Sequence, residues 1–380
     1  MSQPESSHKP KGRLTFLIHK ISAGGAQRVL TLLANELCDK GWSVTVLTFD
    51  NGREPVFFDL HPRITHWPLS LMRKQESGWK AVKAFFLRPL LLRRAIRKSN
   101  PDAVIAFIEL MNILTVMATL GLKIPVIVSE RGNPFFSPLG RFWSFLRQES
   151  YKRATCLVVQ THGARSFFST SIQKNSCVIP NPVLVPGYLT PSSKSELNSK
   201  TVMAIGRLSR EKGFDLLLNA FAPLAKKFPD WILEICGEGL ERKSLKSLCD
   251  ELGLKKQVRF SGLTTEHYRA LSRADIFVLP SRHEGFPNVL GEAMACGLPV
   301  VSFNCSYGPS EMIQDGVNGL LVPPENILEL SDSLERLMIS AELRKKIGEQ
   351  AIHITERYSL ESISQAWEDL VVNIVHGPKI

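Results

Sequence analysis

Strand-length apolar runs alternate with helix-length amphipathic segments along nearly the whole chain, and the pattern stops once and then restarts. Leu14–His19 reads as a buried strand, Ala26–Lys40 as a helix with Val29, Leu32, Leu33 and Leu37 on one face, and Val44–Phe49 as the next strand after Gly41. Such a βαβ unit demands a parallel sheet with helices on both faces, because parallel strands need a long crossover. The pattern continues through Ala103–Phe107, Val126–Ser129, Cys156–Gln160 and Cys177–Ile179. Between Asn181 and Lys200 it fades into a proline- and serine-rich stretch, which reads as a linker. It then resumes with the strand Thr201–Ile205, the helix Asp215–Lys227 and the strands Trp231–Cys236, Val258–Ser261, Ile276–Leu279 and Val300–Phe303. At 380 residues the chain is too long for one ordinary core and fits two α/β domains. Two such halves put the expected ligand cleft between them, at the carboxyl ends of both sheets.

The most apolar stretch, Ala103–Val128, is long enough to span a membrane. Glu109, Asn112 and Lys123 interrupt it, and Gly121 and Pro125 punctuate it, so strand, buried helix (Leu110–Leu120) and strand is the better reading. Met1 to Arg13 is polar, without the apolar segment of a secretory signal, and is expected to be a floppy tail. The seven cysteines form no CxxC pair, and Cys156, Cys236 and Cys296 sit in apolar runs, which favours a reducing cytoplasm. Charge is uneven. Residues 1–190 hold 25 Lys and Arg against 11 Asp and Glu, whereas the rest hold 22 against 25. That asymmetry points to an anionic partner of the first half. Nucleic acid is excluded for want of interleaved aromatics and of any binding module.

Three segments carry chemistry. Ser281-Arg-His-Glu-Gly-Phe-Pro-Asn-Val-Leu-Gly-Glu-Ala-Met-Ala-Cys-Gly297 follows the strand Ile276–Leu279, with Asn288 expected to cap a helix Val289–Cys296. A glycine loop between strand and helix aims free N–H groups at a phosphate. Glu284 precedes that helix, and Glu292 is expected in its first turn. The second segment, Gly206-Arg-Leu-Ser-Arg-Glu-Lys-Gly213, places Arg207 and Lys212 on a loop after the strand Thr201–Ile205. Gly206 is expected to let the chain turn there. Two such cations suit a diphosphate. The third is Ser22-Ala-Gly-Gly-Ala-Gln27, where Gly24 and Gly25 leave a helix N-terminus open to an anion. His19 and His162 read as satisfied core histidines. No Asp-x-Asp occurs, and no His/Cys/Asp cluster has metal spacing. A carboxylate-held divalent cation is therefore not expected on the diphosphate, and no cofactor is assigned.

In this order the three segments resemble the retaining GT-B-fold glycosyltransferases of family four, the bacterial group 1 enzymes. The Glu284…Glu292 spacing is similar to that family's E-x7-E motif, Gly206-Arg-Leu…Lys212-Gly to its phosphate loop, and Asn318-Gly-Leu-Leu-Val-Pro-Pro324 is a further match. Ser22-Ala-Gly-Gly-Ala-Gln-Arg-Val29 and Ser129-Glu-Arg-Gly-Asn-Pro134 look like enzymes that add N-acetylgalactosamine or related sugars to lipid-linked oligosaccharides.

The resemblance implies a GT-B fold. Residues 1–185, with a return helix at 359–374, would form the acceptor domain, and 186–358 the nucleotide-sugar domain. It also implies roles. Arg207 and Lys212 would bind the donor diphosphate, Glu284 would lie against the donor sugar, and Glu292 would hydrogen-bond the ribose. N–H groups of Asn288, Val289 and Leu290 would contact phosphate and sugar, and Gly262 and Leu263 would flank the base. Gly24 and Gly25 would reach the diphosphate from the other domain. Glu130 stands where many members have His; it is either an acceptor-positioning group or base, or a salt-bridged structural acid. The implied reaction moves a sugar from a nucleotide diphosphate sugar, uridine-linked, to a hydroxyl of a lipid-linked or cell-surface saccharide. The alternative is a sugar phosphorylase or nucleotide-sugar epimerase. A basic run from Leu71 to Lys98, with Pro89 expected to split it into two helices, would rest on an anionic membrane, at the inner face of the cell membrane.

Overall fold

The computed structural model describes residues 10–72, 79–136, 139–184, 200–264 and 266–377, and only the backbone of residues 79–86. Arg73, Lys74, the side chains of Lys80 and Lys83, and the expected linker from residue 185 to 199 lie outside the described residues. The chain divides into two compact units, Met1–Pro180 with Glu361–Ile380, and Asn181–Leu360.

In chain order the first unit runs β1 (Arg13–Ile18), α1 (Gly25–Asp39), β2 (Ser43–Thr48), β3 (Thr65–Pro68), α2 (Trp79–Ser99), β4 (Ala103–Phe107), α3 (Glu109–Thr119), β5 (Val126–Ser129), α4 (Arg141–Tyr151), β6 (Cys156–Val159), α5 (His162–Ser166), α6 (Thr170–Gln173) and β7 (Ser176–Val178). Its seven strands are all parallel, in the order β3-β2-β1-β4-β5-β6-β7. Strands β1, β4, β5 and β6 are buried almost throughout, and this shows in the sequence as unbroken apolar runs. Helices α2, α3 and α4 form one layer. Leu92 and Ile96 of α2 pack with Met111 and Leu114 of α3 over Leu17, Leu47 and Val104, and Ile113 and Val116 of α3 pack with Tyr151 over Val126, Val128 and Leu157.

Two features differ from expectation. Helix α2 runs through Pro89 as one helix; the proline removes one ladder bond, while Leu92, Ala95 and Ile96 are buried beyond it and hold the register. His19 and His162 are exposed, because each stands just past a strand end where the chain leaves the sheet.

The second unit runs β8 (Thr201–Ile205), a single 3-10 turn (Arg210–Lys212), α7 (Phe214–Lys227), β9 (Ile232–Cys236), α8 (Arg242–Glu251), β10 (Val258–Gly262), α9 (His267–Leu271), β11 (Ile276–Leu279), α10 (Asn288–Ala295), β12 (Val300–Phe303), α11 (Pro309–Met312), β13 (Leu320–Val322), α12 (Ile327–Ile339), α13 (Ala341–Ala351) and α14 (Ile354–Arg357). Its sheet is again parallel, in the order β10-β9-β8-β11-β12-β13. The chain winds outward from β8 through β9 and β10, then returns to the other side of β8 with β11. At that reversal, adjacent loops leave the carboxyl ends of β8 and β11 in opposite directions and open a crevice, where doubly wound sheets bind ligands.

The last helix, α15 (Leu360–His376), packs on the first unit. Trp367 is fully buried and stacks on Phe107 at 6.0 Å. Beside it the nearly buried Glu368 accepts from Lys11 Nζ at 2.7 Å and Trp42 Nε1 at 3.2 Å, and Lys40 Nζ stands 3.2 Å away. Burial is the largest single effect and pushes the Glu368 carboxyl up, but these partners together outweigh it and hold the carboxyl below its usual range.

Candidate active site

The loops at the reversal point of the second sheet hold the strongest expected residues. Lys212 ends the 3-10 turn after β8, and Glu284 lies on the loop after β11. The structure brings them together, with Lys212 Nζ 2.7 Å from Glu284 Oε1. Ser281 Oγ donates to the same oxygen at 2.7 Å. The Glu284 side chain is 7% exposed and that of Lys212 24%, so the pair is largely shielded from water. Cys305, on the loop after β12, is buried close by; burial first and the Glu284 charge second push its thiol up to about 12.

The loops interlock through backbone contacts at glycines. Gly213 has φ +64°, and a Cβ there would lie 1.9 Å from the Pro280 carbonyl oxygen. Gly237 plays the same part after β9, where a Cβ would lie 1.8 Å from the Gly206 carbonyl. Gly206 is therefore not the demanding turn glycine that its position suggests: its own Cβ would make only ordinary contacts with Phe214 and Lys212. Arg282 staples the region together. It grips Asp215 with two N–H bonds (2.8 and 2.7 Å), Glu325 through Nε (2.9 Å) and the Arg210 carbonyl (2.8 Å). Sequence reasoning assigned it no role, although an arginine two residues before Glu284 and an acid in the first turn of α7 were the available signal.

Arg207 is exposed at the mouth of the same loop, and its side chain has no hydrogen bond or ion pair among the described residues. Asn288 is the first residue of α10, not its cap. The cap position is Pro287, and the Asn288 amide oxygen instead accepts from Asn181 at 2.8 Å. Within α10, the Leu290 N–H turns back to the Pro287 carbonyl at 3.0 Å, while the N–H groups of Asn288 and Val289 come too early for an acceptor within the helix. Glu292 is the fifth residue of α10, so it stands in the second turn and not the first, and it is buried at 6% exposure. Gly262, with φ +76°, and Leu263, 79% exposed, end the edge strand β10, two strands away from β8.

The remaining expected residues belong to the first unit. Gly24 and Gly25 are exposed at the N-terminus of α1, which has no side-chain cap and begins after β1, next to that sheet's own reversal between β1 and β4. Glu130 follows β5 and is 1% exposed; its Oε2 accepts from the Tyr151 hydroxyl at 2.7 Å. Burial, then the neighbouring Glu109 charge, raises its carboxyl from 4.5 to about 7, against the pull of Arg147 and Tyr151. Folding thus takes up a proton. The associated stabilisation is full below about pH 4.5 and is lost as pH rises through about 7, by about 3 kcal/mol in all. Unfolding free energies between about pH 5 and pH 8 should fall by most of this amount more in the wild type than in Glu130→Gln. Parallel curves would contradict the buried, proton-holding carboxyl.

Comparison with known proteins fits this geometry. Residues 190–354 match the family "Glycosyl transferases group 1", and residues 24–182 match the "Glycosyl transferase 4-like domain". The chain is 28% identical, over 95% of its length and 99% of the relative's, to a Campylobacter jejuni enzyme. That relative is named GalNAc-alpha-(1->4)-GalNAc-alpha-(1->3)-diNAcBac-PP-undecaprenol alpha-1,4-N-acetyl-D-galactosaminyltransferase. Sucrose-phosphate synthase from Thermosynechococcus elongatus superposes with a TM-score of 0.83 at 18% identity, over 97% of this chain and 100% of that one. Anabaena HepE, solved in complex with UDP and glucose, superposes with 0.77 at 21%, over 94% and 98%. Two parallel-sheet Rossmann-like units, the Lys212–Glu284 pair at the reversal of the second sheet and two family matches that together span most of the chain lead to one conclusion: the chain belongs to the group 1 glycosyltransferases and has the GT-B fold.

Proposed function

We propose that the chain transfers a sugar, with retention and without a metal ion, from a uridine diphosphate sugar to a hydroxyl of a lipid-linked saccharide. The observation that carries this reading is the shielded Lys212–Glu284 pair at the sheet reversal, beside the exposed Arg207 and the N-terminus of α10. An arriving diphosphate competes for Lys212 and gains Arg207 and the N–H groups of Asn288 and Val289. Glu284, relieved of its lysine, accepts hydrogen bonds from the donor sugar. The anomeric carbon–phosphate oxygen bond then breaks as the acceptor oxygen bonds to the same face, and the acceptor proton passes to the leaving phosphate. Lys212 and Arg207 stabilise the growing phosphate charge. The Campylobacter relative's name supports an N-acetylhexosamine donor and a polyprenyl diphosphate-linked acceptor.

Donor binding tests the reading directly. Among uridine, guanosine and adenosine diphosphate sugars, a uridine sugar at about 100 times its Kd should add about 2.7 kcal/mol of stability. The gain should be unchanged by excess chelator. No protection by any nucleotide sugar would sink the function, and protection only with added divalent metal would sink the metal-free form.

A membrane surface for the acceptor is supported by the layer of α2, α3 and α4. No helix among the described residues is long and apolar enough to cross a membrane. That layer instead exposes Phe142 and Phe145 of α4, beside Phe135 and Phe136 of the preceding loop, together with Leu87 and Leu90 of α2. Arg94 and Arg97 of α2 are also exposed, whereas Arg93 caps the carbonyls of Ala118 and Leu120, and Lys98 lies over the Trp67 ring. Exposed arginines near an anionic leaflet contribute about 1 kcal/mol each and are screened by salt. Wild type should sediment with phosphatidylglycerol vesicles at low salt, and the Arg94→Glu/Arg97→Glu/Phe142→Ser/Phe145→Ser variant should not. Equal partitioning of the two would remove the membrane from the proposal.

A further inference from the structure

The seven cysteines carry free thiols, and the structure brings Cys156 and Cys177 into contact, with their sulfurs 3.8 Å apart. The sheet makes this meeting. β6 and β7 are parallel neighbours, with Leu157 opposite Ser176 and Val158 opposite Cys177. Leu157, Val159 and Val178 join the core with α3 and α4, so Cys156 and Cys177, which alternate with them, share the other face. Phe107, Ser129, Val158 and Cys177 form a row across four neighbouring strands on that face, and Trp367 stacks on Phe107 at the inner end of the row. Cys177, at the margin of the sheet, is half-exposed; Cys156, one strand further in, is buried.

The two thiols are unequal. Arg165 of α5 donates to Ser176 Oγ at 2.9 Å and to the Gln173 carbonyl at 2.8 Å, which fixes its charge beside Cys177. Arg131 lies over the Phe107 ring at 4.8 Å and adds a second positive charge on the same face. The hydrogen bond from Cys156 first, and then these two charges, lower the Cys177 thiol against the opposing effect of burial. Cys156 is raised by that same bond first and by burial second, so it keeps its proton. A half-open sulfur beside arginines, backed by a second thiol in contact, has the parts of a thiol that reacts and a thiol that resolves.

The register also shows what has to move. Cys156 precedes the Leu157–Ser176 pair and Cys177 follows it, so the two are diagonal neighbours. Strands about 4.8 Å apart, rising about 3.3 Å per residue, put such Cα atoms roughly 8 Å apart. A disulfide spans at most about 7 Å, so β7 has to shift along β6 by about 1–2 Å. β7 has three residues, lies at the edge of the sheet and is paired on one side only, which leaves it able to do so.

We propose that Cys156 and Cys177 are a reversible oxidation site for hydroperoxides, with Cys177 as the attacking sulfur and Cys156 as the resolving thiol. The Cys177 sulfur attacks one peroxide oxygen, the O–O bond breaks, and a sulfenic acid forms. The second oxygen leaves as hydroxide and becomes water with the proton that Cys177 released. The Cys156 sulfur then attacks the sulfenic sulfur, the S–O bond breaks, and the departing hydroxide takes the Cys156 proton. Two thiols and one hydrogen peroxide thus give one disulfide and two waters.

The test exposes the full, reduced chain to excess hydrogen peroxide near neutral pH, blocks remaining thiols with N-ethylmaleimide and reads the peptides by mass. A 156–177 crosslink, lighter by two hydrogens, should appear before any other cysteine changes, and dithiothreitol should reverse it. Cys156→Ser should instead accumulate a sulfenic acid at Cys177 that dimedone traps, whereas Cys177→Ser should leave Cys156 reduced. Thermal unfolding of both variants establishes that they are folded, and the wild-type crosslink stands as a test without them. Absence of the crosslink under excess peroxide would overturn the proposal, as would dimedone trapping at Cys156 in Cys177→Ser.

Discussion

Replacing Lys212 by alanine should lower turnover roughly a hundredfold or more, because under the proposed reaction the diphosphate would leave without that cation. The same loss is expected for Arg207→Ala, but the two variants should part in stability. Lys212 covers the buried Glu284 carboxylate at 2.7 Å, so its removal should also cost on the order of 1–3 kcal/mol. Arg207 is exposed and has no partner among the described residues, so its removal should leave the unfolding midpoint where it was. Steady-state rates at saturating donor and acceptor, paired with urea unfolding, separate these effects. Near-normal turnover in either variant would show that the diphosphate lies elsewhere.

Gly213→Ala should be among the most damaging single-atom additions in the second unit. Its Cβ would enter within 1.9 Å of the Pro280 carbonyl oxygen, at a backbone angle that only glycine adopts without strain. Either the loop after β8 or the loop after β11 must then move, and both carry the Lys212–Glu284 pair. A loss of about 3 kcal/mol or more is expected, with donor binding lost in parallel. Gly206→Ala is the control: its Cβ would meet Phe214 at 3.5 Å and Lys212 at 3.7 Å, ordinary contact distances, and should cost less than about 1 kcal/mol. Equal denaturation midpoints for the two variants would show that the loops are not locked together at Gly213.

That contrast between two glycines also shows what a sequence can convey. The central strands were legible to within a residue or so because both faces of each are buried, which leaves unbroken apolar runs such as Ala103–Phe107 and Ile276–Leu279. The edge strands β3 and β13 were not: Thr65–Pro68 is half-buried and polar at its start, and Leu320–Val322 has only three residues. The same limit applies to the candidate site. Lys212 and Glu284 could be named because each lies in a local loop motif with its own chemistry. Their meeting depends on β8 and β11 being neighbours, which is a property of strand order and not of either segment. Gly213 and Gly237, Arg282 on Asp215, and Arg147 beside Glu130 are long-range juxtapositions of the same sort, and no spacing along the chain announces them. Asn288 misled for the opposite reason. It is a good helix cap in isolation, but its side chain was taken by Asn181, more than a hundred residues earlier.

The first unit is discontinuous in the chain, and this bears on how the protein is made. Trp367, one of the largest fully buried side chains of that unit, and the acid that gathers Lys11, Lys40 and Trp42 both lie on α15, after the whole of the second unit. On a ribosome the sheet from β1 to β7 is therefore synthesised with Phe16 and Phe107 lacking their tryptophan, and it waits in that state through some 180 further residues. The second unit, continuous from Asn181 to Leu360, can close its own core as soon as it emerges. Synthesis order is thus reversed in folding order: the half made first is finished last, and its exposed aromatic face is a natural client for a chaperone during that interval.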